Sequence, residues 1–181
     1  MKWTRRAAAL ITPAVLAVAV TSCSSNSLTV PEKFCGHSVE TSTLSPLLPA
    51  GGSVKTRQDG EPDPGLNCEL LVDNTKVLTS TIRAIDSPLP PEDWETALSL
   101  YDRAQKQTTS FPGVAVIGAD GARVTAKCDD SAPSKFLLFN IQLQKDHAKK
   151  TDKDIKDVEH FVNDFVPGMT KQLKCTSLTA Q

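Results

Sequence analysis

The stretch Val114 to Cys128, VAVIGADGARVTAKC, constrains this chain more than any other. Two runs of strand formers flank Asp120-Gly121, a dipeptide suited to a two-residue hairpin turn. With those two residues at the centre of the turn, Ala119 faces Ala122 and Ile117 faces Val124. Side chains alternate along each strand. Ala115, Ile117, Ala119, Ala122, Val124, Ala126 and Cys128 therefore share one apolar face. Val114, Val116, Arg123, Thr125 and Lys127 share a wetter one. A slip of one residue would turn Arg123 and Lys127 inward, so the register is strongly specified. The small alanines predict a helix lying close against the apolar face.

The helix that fits is TDKDIKDVEHFVNDFVPGMTKQLKC, residues 151–175. Thr151 is its expected cap. Asp152, Asp154 and Asp157 suit its positive end, and Lys171 and Lys174 its negative end. Ile155, Val158, Val162, Phe165, Val166, Met169 and Leu173 form the expected buried stripe. Pro167-Gly168 is expected to kink or interrupt it, because proline lacks a backbone donor and crowds the preceding turn.

Other elements follow by the same periodicities. Residues 38–52 predict a short helix ended by Pro49 and Gly51-Gly52. DGEPDPG (59–65) reads as an exposed acidic turn whose spacing does not fit a calcium loop. LNCELLVD (66–73) and KVLTSTIRAI (76–85) predict a hairpin joined at Asn74-Thr75. SPLPP (87–91) is a stiff connector. A helix is expected from Pro91 to Gln107, with Trp94, Ala97, Leu98, Tyr101 and Ala104 on one face. KFLLFNIQLQ (135–144) alternates with Leu137, Phe139, Ile141 and Leu143 inward; Phe136 and Leu138 suggest cover on both faces near its start. The order is short helix, three strands, helix, three strands, helix. That order predicts an α+β domain: an antiparallel sheet of five to six strands packed by two main helices.

The N-terminus carries a different signal. Lys2, Arg5 and Arg6 precede the 14-residue apolar run AAALITPAVLAVAV, then Thr21, Ser22 and Cys23. This is the layout of an export signal peptide, and the run is too short to span a bilayer core, which takes about 20 residues. Val20-Thr21-Ser22-Cys23 resembles the lipobox of bacterial lipoproteins. That resemblance implies removal of 1–22 and acylation of the Cys23 thiol. Two or three acyl chains on one residue hold a protein stably on a membrane, where one is marginal. The small and polar residues after Cys23 make 23–33 a lipidated tether, and the folded part, 34–181, a single extracytoplasmic domain.

Four further cysteines remain: Cys35, Cys68, Cys128 and Cys175. An even number in an exported chain reads as two disulfides, with three possible connectivities. Their wide spacing does not match the close pairs of a zinc site, and no metal is expected. The expected pairing is Cys35–Cys68 and Cys128–Cys175, because each links sequence neighbours and joins a strand to a helical or loop end. Cys175, ending the last helix, would then reach Cys128 on the apolar face.

Of the 20 basic and 21 acidic residues, three basic and no acidic ones lie in 1–22. The remainder, 17 against 21, carries a net charge of −4, which argues against nucleic acid and against electrostatic binding to anionic lipid. Attachment would rest on the acyl chains. No phosphate loop, serine elbow or related catalytic motif is present. The three histidines, His37, His147 and His160, read as surface residues. His160 with Asp164 and Glu159 reads as an exposed helical pair.

VTSC, FCG, LLPAGG, LNCELLVD and the terminal LKC together resemble small actinobacterial cell-envelope lipoproteins of unknown function. In related lipoproteins the domain is sometimes a PsbP-like α/β sandwich with an antiparallel sheet. The resemblance implies a membrane-anchored, extracytoplasmic binding or interaction module with no cofactor. Its expected partners are the membrane through Cys23 and an envelope protein or small ligand. The alternative is an envelope hydrolase or transferase with a site around His37, His147 or His160.

Overall fold

The computed structural model describes residues 29–63, 65–144 and 150–176. The signal segment 1–22, Cys23, tether residues 24–28 and His147 lie outside them.

The described chain begins with a small hairpin, β1 (Lys33–Phe34) and β2 (His37–Ser38), followed by α1 (Thr41–Leu44) and a 3-10 turn at Ser45–Leu47. Leu44 and Leu47 are buried, as the short-helix reading of 38–52 requires. Then come β3 (Val54–Asp59), β4 (Leu66–Val72), β5 (Thr75–Ile85), α2 (Pro91–Leu100), β6 (Gln105–Gln107), β7 (Gly113–Gly118), β8 (Gly121–Lys127), β9 (Phe136–Leu143) and α3 (Asp152–Gln172). β3 to β9 form one antiparallel sheet in the order β3-β4-β5-β9-β8-β7-β6. Two meanders thus meet along β5 and β9. The fold is α+β, as expected, but the sheet has seven strands where five to six were expected.

The extra strands sit at the two edges. β3, VKTRQD, is almost wholly exposed, and β6 is the polar tripeptide QKQ. Neither carries an apolar alternation. Lysine and arginine on β3 suit an edge strand, where charge discourages pairing with another chain.

The expected helix to Gln107 stops at Leu100. Tyr101 leaves helical geometry, at φ −106° and ψ 144°, and its hydroxyl donates to the Ala122 carbonyl at 3.1 Å. Its ring lies over the start of β8, and 105–107 then pairs with β7. Ala97 and Tyr101 pack on Val116 with Trp94 and Ala104 beside them, while Leu98 of the expected face remains 42% exposed.

The central hairpin keeps its inward face but not its register, and the face expected to be wetter is partly covered, with Val116 packed under α2 and Thr125 buried. Ile117 pairs with Ala122 and Ala115 with Val124, so the turn residues are Ala119-Asp120 rather than Asp120-Gly121. The physical reason is local. The buried Asp120 carboxylate accepts the Asp102 N–H at 2.7 Å, and its carbonyl accepts the Leu143 N–H at 2.8 Å. Ala119 N–H donates to the Asp102 carbonyl at 2.8 Å. Gly121 serves close packing: a Cβ there would strike the Ile141 carbonyl and come within 2.6 Å of the Tyr101 ring. The slip is two residues, so side-chain parity is preserved. Ala115, Ile117, Ala119, Ala122, Val124, Ala126 and Cys128 are all buried on the core face. In the other hairpin the connection is Asp73-Asn74, one residue earlier than expected. Both residues have positive φ, 49° and 66°, which Asp and Asn tolerate far better than β-branched Thr75.

α3 contacts β7 and β8, the face the alanines make shallow. Thr151 and Asp154 form a reciprocal capping box. The stripe from Ile155 to Met169 is buried together with Phe161, which the periodicity reading omitted, and Leu173 is half-buried. The helix runs uninterrupted through Pro167. The two disulfides are Cys35–Cys68 and Cys128–Cys175, with Cα separations of 5.4 and 4.5 Å. This pairing is the expected one. It survives the register correction because the two-residue slip leaves Cys128 on the core face.

Candidate functional site

α3 and the N-terminal elements cover the core face of the sheet. α2 covers part of the outer face, over β7. Where that cover ends, the outer face shows a polar row running across β4, β5, β9 and β8: Asn67, Thr81, Asn140 and Arg123, each opposite the next. Thr81 donates to Asn67 Oδ1 at 3.0 Å, and Arg123 Nε donates to Asn140 Oδ1 at 2.9 Å. A second row holds Arg57, Glu69, Thr79 and Gln142. Glu69 is flanked by Arg57 at 3.3 Å and by Lys76. The hydrogen bond from Lys76 holds its carboxyl below the usual carboxylate range.

At the border between this polar face and α2 lies a cleft of about 460 Å³. Its floor is Leu138, Asn140 and Arg123. Arg83, Ala84 and Ile85 of β5 flank it on one side, and Leu89 of the proline-rich connector and Asp93 of α2 on the other, with Asp63 at the rim. Arg123 is half-buried, and its Nη1 donates to the Asp93 carbonyl at 3.1 Å. The connector expected to be merely stiff thus forms a wall. The cover expected near the start of β9 is real at Leu138, which is buried on this face.

Tyr101 stands behind Arg123. Burial pushes its hydroxyl pKa up to about 12; Arg123 pulls it down and Asp120 pushes it up. Because Tyr101 is the one tyrosine of the chain, phenolate absorbance reads it alone. Ionisation is expected near pH 12 in the folded chain and near pH ~10 in denaturant. A folded pKa above the unfolded one means that the contribution of Tyr101 to stability is full below about pH 10 and is lost as the pH rises towards 12. A phenolate appearing near pH ~10 while the circular dichroism spectrum is still native would contradict this burial.

The histidines lie elsewhere. His37 rests against Gly168, on the α3 side of the molecule, where a Cβ would collide with its ring. Desolvation lowers its pKa, and the nearby Asp164 carboxylate opposes that. Asp164 accepts the Glu40 N–H at 3.0 Å and the Thr43 hydroxyl at 2.8 Å. The Thr43 hydroxyl is within donating distance of both this carboxylate and, at 2.9 Å, the Glu40 carbonyl. This cluster clamps α1 onto α3. His160 is exposed on α3. The structure brings neither histidine to the cleft. The cysteines expected as site residues stand as two disulfides in the core, and Cys23 lies outside the described residues.

No protein-family model, curated protein or solved structure matches this chain.

Proposed function

We propose that the chain is a membrane-anchored extracytoplasmic lipoprotein, held by acyl chains on Cys23, whose domain is a non-enzymatic binding module of the cell envelope. One observation carries the reading: Cys35, Cys68, Cys128 and Cys175 all pair with one another. Cys23 is then the fifth and odd cysteine, placed where a basic start, a short apolar run and small residues lead up to it. The resemblance to small actinobacterial envelope lipoproteins rests on the same residues. No helix among the described residues is long and apolar enough to cross a membrane.

Val30 already packs on the core. It lies seven positions after Cys23, a span of about 25 Å at full extension. The domain would thus sit within about its own diameter of the lipid. Cys23→Ser is expected to move the protein out of the membrane fraction or to leave the signal segment attached. A cleaved Cys23→Ser protein that still fractionates with membranes would overturn the anchor.

A further inference from the structure

We propose that the cleft between β5, β8, β9 and the connector to α2 binds a small monocarboxylate with an apolar body, and that Arg123 holds the carboxylate. The proposal deepens the binding-module reading by naming a ligand class for one site. It does not depend on the anchor.

The case begins with an unbalanced cation. Arginine carries five N–H donors in a planar fork. Arg123 uses one on the Asn140 side-chain oxygen and one on the Asp93 carbonyl, and both partners are neutral. No carboxylate lies within ion-pair distance of it among the described residues. A half-buried guanidinium that makes no direct ion pair keeps donors available for a ligand anion. The fork is also held in place by its two bonds, so little ordering is left to do when an anion arrives.

The surroundings select among anions. Arg83 lines the same cleft. It projects from β5 on the far side of β9, so the two arginine Cα atoms stand roughly 10–12 Å apart on one face. Asp63 and Asp93 also line the cleft, and their charge equals that of the two arginines. The cleft as a whole is therefore near neutral, which disfavours a dianion such as phosphate; a single carboxylate would be held by direct hydrogen bonds to the Arg123 fork and not by the net field. Leu89, Leu138 and Ile85 supply the apolar wall, which an inorganic ion would leave unused. The lining is mixed, with four charged side chains and Asn140 beside Ala84, Ile85, Leu89 and Leu138, and its volume falls in the range of small-molecule sites.

The test is isothermal titration of the full chain, purified in a nonionic detergent, with hexanoate, hexylamine and inorganic phosphate in turn. Hexanoate is expected to bind with a Kd below about 1 mM, phosphate at least tenfold more weakly, and hexylamine not at all. Arg123→Gln should weaken hexanoate at least tenfold, and Arg57→Gln, on the same sheet face but outside the cleft, should leave it unchanged. Because Arg123 also ties α2 to β8, a second variant guards against misfolding: Leu89→Asp places a carboxylate on the connector wall and should abolish binding with the fold intact. Equal heats for hexanoate and hexylamine, phosphate as tight as hexanoate, no heat up to about 10 mM hexanoate, or binding that survives Leu89→Asp each overturns the proposal. None of these outcomes bears on the membrane fractionation of Cys23→Ser, so anchor and ligand fail separately.

Discussion

Phe165→Ala is expected to destabilise the fold by about 3–5 kcal/mol, the range for truncating a fully buried phenylalanine. Phe165 is 0% exposed and is the hub of an aromatic cluster drawn from three parts of the chain. Its ring stacks on Phe161 of α3 with centroids 5.1 Å apart, tilts against Phe34 of β1 at 5.3 Å, and meets Phe139 of β9 edge-on at 6.2 Å. Each such pair contributes about 0.5–1.5 kcal/mol beyond burial. The surrounding backbone is held by a sheet, a helix and a disulfide, so the cavity cannot readily collapse. A urea titration should show the loss as a lower midpoint with an unchanged slope, and melting should fall by roughly 10 °C or more. Leu98→Ala, 42% exposed on α2, should stay within about 0.5 kcal/mol. A loss below about 1.5 kcal/mol at Phe165 would mean that the cluster does not anchor α3 to the sheet.

What could be read from the sequence was set by where the apolar residues fall. The helix at 152–172, the strands at 66–72, 75–85 and 136–143 and the inward face of the 113–127 hairpin all carry a clear period of 3.6 or 2. β3 and β6 carry none, because edge strands need only one paired side and little apolar surface; polar VKTRQD has no strand signature, and QKQ falls in the tail of the expected helix. The end of α2 was illegible for another reason. Tyr101 and Ala104 continue the helical period, but the glycines at 118 and 121 leave a shallow seat for the tyrosine ring. Filling that seat outweighs two further helical turns, and only the tertiary structure shows the competition. The hairpin register failed similarly. Asp120-Gly121 is the better isolated turn, yet two backbone bonds at Ala119 and Asp120 and one to the Asp120 carboxylate decide the pairing.

The candidate site was less legible still. Arg123 read as one cation on the wetter face of a hairpin, with nothing beside it. Its importance depends on Asn140, seventeen residues away, and on the main-chain carbonyl of Asp93, thirty residues away. A backbone acceptor leaves no mark in a side-chain pattern. The one available signal was an arginine on the outer face of a mostly apolar hairpin, opposite a polar residue of the next strand. The disulfide pairing, in contrast, follows from linking sequence neighbours, with the face of Cys128 and the end of the last helix supporting the second bridge, and a two-residue slip leaves that face unchanged.

Replacing Cys128 and Cys175 together with alanine is expected to cost about 2–4 kcal/mol. The bridge spans a sequence separation of 47. In the chain-entropy model a loop of that length, once freed, raises the entropy of the unfolded chain by about 4 kcal/mol at room temperature. That figure is the upper guide, since the folded chain keeps its local ties without the bridge. Asp129 N–H still donates to the Cys175 carbonyl at 2.7 Å, and Cys175 N–H to the Thr170 carbonyl at 2.8 Å. Both sulfurs are buried, at 5% and 1% exposure of their residues, so alanine also leaves a small void. The bridge Cys35–Cys68 closes a separate loop, with a separation of 33, for which the same model gives about 3.7 kcal/mol. The two loops do not overlap, so the losses should add to within about 0.5 kcal/mol in the variant lacking both. One departure is expected. Cys35 adjoins Phe34, so Cys35→Ala with Cys68→Ala loosens the same aromatic cluster that Phe165→Ala disrupts. Combining those changes should cost less than their sum, whereas combining Phe165→Ala with loss of Cys128–Cys175 should be closer to additive. Urea midpoints of the single and combined variants measure both couplings. Equal couplings for the two bridges would show that Cys35–Cys68 acts on the unfolded chain alone and does not position Phe34 in the cluster.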